Sequence, residues 1–309
     1  MPAPFDKVAI IGLGLIGSSI ARATREAMPG LQLSGFDAED GIRDRARGLQ
    51  LVDQLPDDAA EAVDNADLVI LCVPVGAMGA AAAAIAPSLK PAAIITDVGS
   101  SKASVAETLR QALPGATIIP GHPIAGTENS GPEAGFATLF KGRWSILTPA
   151  ADAPMHAIEK LTAFWSALGA KVECMDPRQH DLTLAVTSHL PHLIAYTIVG
   201  TARELENVTE GEVIKYSAGG FRDFTRIAAS NPTMWRDIFL SNKEAVLDVL
   251  DRFRGDLAGL EQAIRDDDGA TLHDWFSRTR AIRRAIIDQG QDVAAADFGR
   301  ASSPAQPKG

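Results

Sequence analysis

The sequence predicts an α/β fold in its first half, a doubly wound parallel sheet, followed by an all-α second half. Short β-branched runs alternate with Ala-rich helical stretches through the first half, the pattern of strands joined by crossover helices and buried on both faces. From about Pro177 onward strand signals give way to helical periodicity broken by Gly, Pro and Asn. The boundary is expected at Asp176-Pro177, giving a sheet domain over 1–176, a helical domain over 177–300 and a tail over 301–309 that reads as disordered.

Strands are expected at Lys7–Ile11, Leu31–Phe36, Leu68–Cys72, Ile94–Val98, Ala116–Ile119 and Trp144–Leu147, with Lys171–Met175 extending the sheet edge. Helices are expected at His180–Leu205, kinked by Pro191, then at Thr233–Phe253, Leu257–Asp267 and Thr271–Asp288. Ile238, Phe239, Val246, Val249 and Leu250 fall near helical spacing and give one apolar face.

The 309 residues, 46% apolar and 22% charged, are those of an ordinary globular protein of about two domains. A formal charge of −10 argues against nucleic acid or an anionic membrane as partner, since either needs a basic face. The stretch Ala66–Ala86 is interrupted by Asp67, Pro74 and Gly76, and Met1–Lys7 lacks the form of a secretion signal. No membrane contact and a cytoplasmic setting are therefore expected. Cys72 and Cys174, both in apolar surroundings, read as reduced core thiols.

Gly12-Leu13-Gly14-Leu15-Ile16-Gly17 follows the first strand and opens a helix, the context that a dinucleotide fingerprint requires. Gly12 serves the tight turn, Gly14 the approach of backbone to a pyrophosphate, and Gly17 the packing of helix on strand. The amides of Leu15 and Ile16 lie at the helix N-terminus, where the dipole favours phosphate. This makes the sheet domain Rossmann-type. Asp37 follows Gly17 by 20 residues at the end of the second strand, positioned to accept from ribose hydroxyls and to repel a 2′-phosphate. NAD is expected over NADP, with Arg43 and Arg45 able to soften the discrimination. Val73 and Pro74 end the third strand and border the same crevice.

Two further strand ends carry unusual sequence, Asp97-Val98-Gly99-Ser100-Ser101-Lys102 and Gly121-His122-Pro123-Ile124-Ala125-Gly126-Thr127-Glu128. His122, held between Gly121 and Pro123, is a candidate general base because imidazole titrates near neutrality. The helical half adds His180-Asp181 and Ser188-His189-Leu190-Pro191-His192, with Ser188 and His192 on one helical face. The histidines lack the carboxylate or Cys partners of a common metal site, so no metal is expected. Arg222 and Arg226, one turn apart in Gly219–Arg226, suit a carboxylate; a salt bridge to Asp223 or Asp181 is the plainer role.

These segments, with Phe221-Arg222-Asp223-Phe224-Thr225-Arg226 and Asn231-Pro232-Thr233-Met234-Trp235-Arg236-Asp237-Ile238, resemble the prephenate/arogenate dehydrogenase family of tyrosine biosynthesis over about Lys7 to Ile286. The resemblance implies oxidative decarboxylation: a cyclohexadienol bearing a 4-hydroxyl and a ring carboxylate loses hydride to NAD and CO2 to solvent, driven by aromatisation. It implies that His122 takes the hydroxyl proton and that Ser100, or its neighbour Ser101, orients the imidazole. Arg226 matches the substrate-carboxylate arginine, Ser188, His192 and Arg222 match positions around the substrate, and Glu128 matches an acid at the pocket entrance. It further implies a homodimer through the helices after Met234. Some members of the family carry a fused mutase or a C-terminal regulatory domain; with the first strand starting at Lys7 and the last helix ending near Asp288 neither is expected, and any tyrosine inhibition is expected at the active site. The competing readings are a 3-hydroxyacid dehydrogenase of the 6-phosphogluconate type, which would need a lysine such as Lys215 in a motif absent around it, and an NAD-sensing protein without catalysis.

Overall fold

The computed structural model describes residues 3–127, 129–209 and 219–288. Glu128, Lys215 and the tail expected at 301–309 lie outside the described residues. What is described divides into two compact units, one ending at Val249 and one starting at Leu250.

The first unit begins with β1 (Lys7–Ile11), α1 (Leu15–Ala27), β2 (Gln32–Phe36), α2 (Asp40–Gly48), α3 (Ala59–Val63), β3 (Leu68–Leu71), α4 (Met78–Ile85), β4 (Ile94–Asp97), α5 (Ala103–Ala112) and β5 (Thr117–Ile118). The five strands are parallel in the order β2-β1-β3-β4-β5. The order reverses between β1 and β3, so the ligand crevice of such a sheet opens beyond their carboxyl ends.

Alternation along each strand divides the core between the two faces of the sheet. Val8, Ile10, Leu68 and Ile70 pack with Ile20, Phe140, Phe164 and Trp165. Ala9, Ile11, Val69 and Leu71 pack with Ala62, Met78, Ala82, Val105 and Leu109. Both faces being covered explains why these strands read as unbroken apolar runs.

The strand Lys171–Met175, expected on the sheet edge, instead belongs to a second sheet. There β6 (Gly121–Pro123) pairs antiparallel with β7 (Trp144–Leu147), which pairs parallel with β8 (Lys171–Cys174), the crossover being α6 (Met155–Ala167). The ladder changes hands at a proline. Ile119 N–H still bonds the Ile95 carbonyl on β4 (2.8 Å), whereas Pro120 offers no N–H and its carbonyl accepts from Thr148 (2.8 Å). Because β8 is an edge strand, Cys174 is exposed rather than in the core, and both cysteines are free thiols.

Asp176 caps the next helix by accepting from Arg178 N (2.8 Å) and Gln179 N (3.2 Å), with Pro177 at its first position. Helical structure then runs through α7 (Pro177–Leu184), a π-helical turn at Ala185–His189, and α8 (Leu190–Thr209). The distortion expected at Pro191 thus sits in the turn before it, because Pro191 lacks an N–H and its ring crowds the carbonyl four residues back. Pro177–Leu205 is long and apolar enough to cross a membrane by length and composition, with a mean hydropathy of 1.3. It carries buried His180, Asp181 and His189, all hydrogen-bonded within the first unit.

After α9 (Gly219–Thr225) and a 3-10 turn at Arg226–Ala229 come α10 (Pro232–Ser241), α11 (Lys243–Arg265) and α12 (Gly269–Asp288). The expected helix Thr233–Phe253 is therefore split at Asn242, and α11 continues through the break expected after Phe253. Asn242 leaves helical geometry (φ −108°, ψ 33°) while its side chain is used elsewhere; Gly255 is accommodated within α11.

Candidate active site

The fingerprint loop has the three geometries its glycines require. Gly12 has φ +101°, and a Cβ there would meet the Cys72 carbonyl oxygen at 2.4 Å. A Cβ on Gly17 would lie 1.9 Å from the Gly12 carbonyl oxygen, so only glycine lets α1 approach β1 this closely. At Gly14 a Cβ would meet nothing within 4 Å. That open space lies at the N-cap of α1, where Gly14 has no side chain to take up the first amides, a cradle with the donor chemistry that a pyrophosphate needs. Val73 borders the loop, its Cγ1 being 3.2 Å from the Cβ position of Gly12, and Pro74 starts the turn beyond β3.

Asp37 faces the same loop, accepting from Leu13 N (2.8 Å) and Glu39 N (3.0 Å). The nearby arginines are committed elsewhere. Arg43 donates to the Asp37 carbonyl (2.7 Å) and pairs with Asp40 (2.6 Å) and Asp57 (3.3 Å), while Arg45 pairs with Glu133 (3.0 Å).

Beyond β4 and β5 the two unusual strand ends are tied together by a buried ion pair. Lys102 Nζ bonds Asp97 Oδ2 and donates to the Gly121 carbonyl (2.7 Å). The Asp97 carboxylate also accepts from Gly99 N (2.8 Å) and Gly121 N (3.2 Å). Burial lowers the Lys102 pKa, with Asp97 opposing that shift.

His122 therefore sits on a short strand, β6, whose start is fixed by Asp97 and Lys102. Its Nδ1 lies 2.9 Å from His180 Nε2, and His180 Nδ1 lies 2.9 Å from Asp181 Oδ1. The Asp181 carboxylate also accepts from Lys102 N (2.7 Å) and Ala103 N (2.9 Å), at the start of α5. Burial first, then the neighbouring His180, Lys102 and His189, hold His122 well below the usual imidazole range. A neutral imidazole at ordinary pH is what a base requires. Burial also lowers His180, against the opposing pull of Asp181.

Asn242 Nδ2 donates to the Asp181 carbonyl (2.8 Å) and to His189 Nδ1 (3.1 Å). His189 is fully buried, its Nε2 has no partner among the described residues, and burial depresses its pKa to about 4. His192 donates from Nδ1 to the Ser188 carbonyl (2.8 Å) and stacks on Trp235, with centroids 3.6 Å apart and 24° between planes. Burial lowers the His192 pKa; the Ser188 carbonyl opposes this and the nearby Arg226 adds to it.

Of the residues singled out from sequence, the structure thus gathers His122 with the His180–His189 cluster, and His192 with Ser188 and Arg226. Arg222 is exposed on α9. The ring contact of His122 is with His180; Ser100 is half-buried, and Ser101 is buried with its hydroxyl 2.6 Å from that of Ser241. The sequence singled out the His180-Asp181 pair and the segment ending at Lys102 without giving these residues a role, and it passed over Asn242. The available signal was the pairing of His180 with Asp181 directly after the α7 cap.

A dinucleotide cradle at the switch point of a parallel sheet, with a half-buried imidazole beyond the neighbouring strand ends, defines an oxidoreductase of the nucleotide-dependent class. The chain matches the family models described as prephenate dehydrogenase, nucleotide-binding domain, over residues 20–174, and prephenate dehydrogenase, dimerization domain, over 176–278. It belongs to the prephenate dehydrogenase family. It is 50% identical to a cyclohexadienyl dehydrogenase of Zymomonas mobilis over 91% of this chain and 96% of that one. Among solved structures it is similar to prephenate dehydrogenase of Aquifex aeolicus in complex with hydroxyphenyl propionate and NAD+ (TM-score 0.86, 33% identity, 91% and 98% of the two chains covered). It is similar as well to Synechocystis arogenate dehydrogenase (TM-score 0.77, 28% identity, 90% and 99% covered). These relatives do not favour a 6-phosphogluconate-type enzyme.

Proposed function

We propose that this chain catalyses the NAD-dependent oxidative decarboxylation of prephenate to 4-hydroxyphenylpyruvate, of arogenate to tyrosine, or of both, in tyrosine biosynthesis. The observation that carries the reading is His122: a depressed, half-buried imidazole on β6, engaged at Nδ1 by His180, in a chain half identical to a cyclohexadienyl dehydrogenase.

In this reading the amides of Leu15 and Ile16 and the space over Gly14 hold the pyrophosphate, Asp37 holds the adenosine ribose, and Val73 and Pro74 border the site. Bound NAD supplies the hydride acceptor for C4, the hydroxyl-bearing ring carbon. His122 removes the hydroxyl proton as C4 is oxidised, the electrons of the bond to the ring carboxylate enter the ring as CO2 leaves, and His122 returns the proton to the phenolate oxygen. Ser100 or Ser101 orients His122. Arg226 binds a substrate carboxylate, with Ser188, His192, Arg222 and Glu128 around the substrate. The commitment of Arg43 and Arg45 to carboxylates supports NAD over NADP.

The family-model matches on either side of residue 175 support a domain boundary at Asp176-Pro177. Exposed Leu257, Ile264, Phe276 and Ile282 on α11 and α12 support a homodimer through the helical domain. A cytoplasmic setting belongs to the same reading. The test is incubation with NAD and each dienol while recording NADH absorbance. Turnover with at least one, abolished in His122→Asn, is expected; silence with both overturns the reading. Comparing kcat/KM for the two substrates then assigns the preference.

A further inference from the structure

The hydrogen bonds behind His122 determine which of its nitrogens can act. The N–H groups of Lys102 and Ala103 converge on the Asp181 carboxylate together with His180 Nδ1, and the two backbone groups can only donate. A carboxylate used in this way is an acceptor, so His180 donates from Nδ1. A neutral His180 then presents a lone pair at Nε2, and His122 must donate to it from Nδ1 across the 2.9 Å contact. The remaining nitrogen of His122, Nε2, then carries the lone pair.

We propose that His180 and Asp181 are positioning residues that lock His122 in the Nδ1–H tautomer, making Nε2 the base, and share the positive charge formed when it takes a proton. The proposal rests on the assignment of His122 as the base. In the reaction the substrate hydroxyl proton forms a bond to His122 Nε2, giving an imidazolium. Its Nδ1–H leans on His180 Nε2, and the His180 Nδ1–H on Asp181. When the ring becomes aromatic the same proton leaves Nε2 for the phenolate oxygen, so the relay ends as it began.

The device resembles an Asp-oriented histidine with one more imidazole inserted, and the purpose of such an acid is orientation and charge stabilisation rather than proton removal. The surroundings hold the chain still. His180 is fully buried and Asp181 nearly so, the latter anchored through its own carbonyl by Asn242 and through its carboxylate by the start of α5. The acid and both histidines therefore keep one geometry.

The test uses the enzyme with NAD bound. Two-bond nitrogen–hydrogen correlation spectra of isotope-labelled histidine, assigned with His122→Asn, read the tautomer directly; an Nδ1–H His122 is expected in the wild type. His180→Leu is expected to lose that tautomer preference and about a hundredfold in kcat, with KM for the dienol changed only a few-fold. His180→Gln, whose amide oxygen can accept from His122 Nδ1, should recover the tautomer and part of the rate. An Nε2–H His122 in the wild type overturns the proposal, whether or not any variant folds. So does wild-type kcat in His180→Leu alongside an inactive His122→Asn, which leaves the base assignment standing. Full activity in His122→Asn overturns the base assignment itself, and the relay with it.

Discussion

Lys102 and Asp97 form an ion pair in which neither side chain is exposed, at the point where β4 and β6 meet the start of α5. The pair holds Gly99 N, Gly121 N and the Gly121 carbonyl, so it sets the strand that carries His122. Lys102→Met leaves a buried carboxylate without its cation, and a loss of about 3–5 kcal/mol in unfolding free energy is expected. Urea denaturation at neutral pH measures it. A change under about 1 kcal/mol would mean that the pair contributes far less than such burial implies.

The fingerprint glycines should separate folding from binding. Gly17→Ala drives a methyl into the Gly12 carbonyl, so a marked fall in Tm is expected. Gly14→Ala meets only open space, so Tm should hold while NADH binds about tenfold more weakly, or ~1.4 kcal/mol. Thermal scans beside fluorescence titration decide it, and unaltered NADH affinity in Gly14→Ala would move the pyrophosphate elsewhere.

Asp37→Ser removes the carboxylate expected to meet the ribose. The ratio of kcat/KM for NAD over NADP should fall about tenfold or more, chiefly through weaker NAD use, because Arg43 stays bound to Asp40 and Asp57. Steady-state kinetics with both dinucleotides reads the ratio; no change would remove Asp37 from the site.

Arg226→Lys keeps a cation near His192 but loses the planar fork. KM for the dienol is expected to rise about tenfold or more with a smaller change in kcat. Initial-rate measurements would refute carboxylate binding by Arg226 if KM stayed the same.

Stability should depend on pH through His189. Its folded-state pKa of about 4 lies below the ordinary 6.5, so the unfolded chain binds more protons between those values. The folded state is fully favoured above about pH 6.5 and loses up to about 3 kcal/mol as pH falls towards 4. His122, His180 and His192, also lowered, act in the same direction. Urea melts at neutral pH and near pH 5, repeated in His189→Gln, measure the slope; an identical slope in the variant would exclude His189 as a source.

Much of this was legible in the chain itself. Gly12 to Gly17 declares its structure because each glycine answers a local steric demand, and the buried strands declare themselves because both their faces are apolar. The motifs around His122, Ser188 and Arg226 carried the family. Other features had no local signature. Whether β8 joined the first sheet depended on Pro120 breaking the ladder far from it in sequence. The end of α10 depended on what Asn242 bonds, not on helix propensity.

The α/β class, the dinucleotide loop and the candidate base follow from local residue pattern. What stands behind that base does not. His122 and His180 are 58 residues apart, and their 2.9 Å contact exists because β6 and α7 are brought together where the buried Lys102–Asp97 pair and the Asp181 cap meet. Periodicity reports which face of an element is buried, but a hydrogen bond between two rings on distant elements depends on a packing that no local pattern encodes.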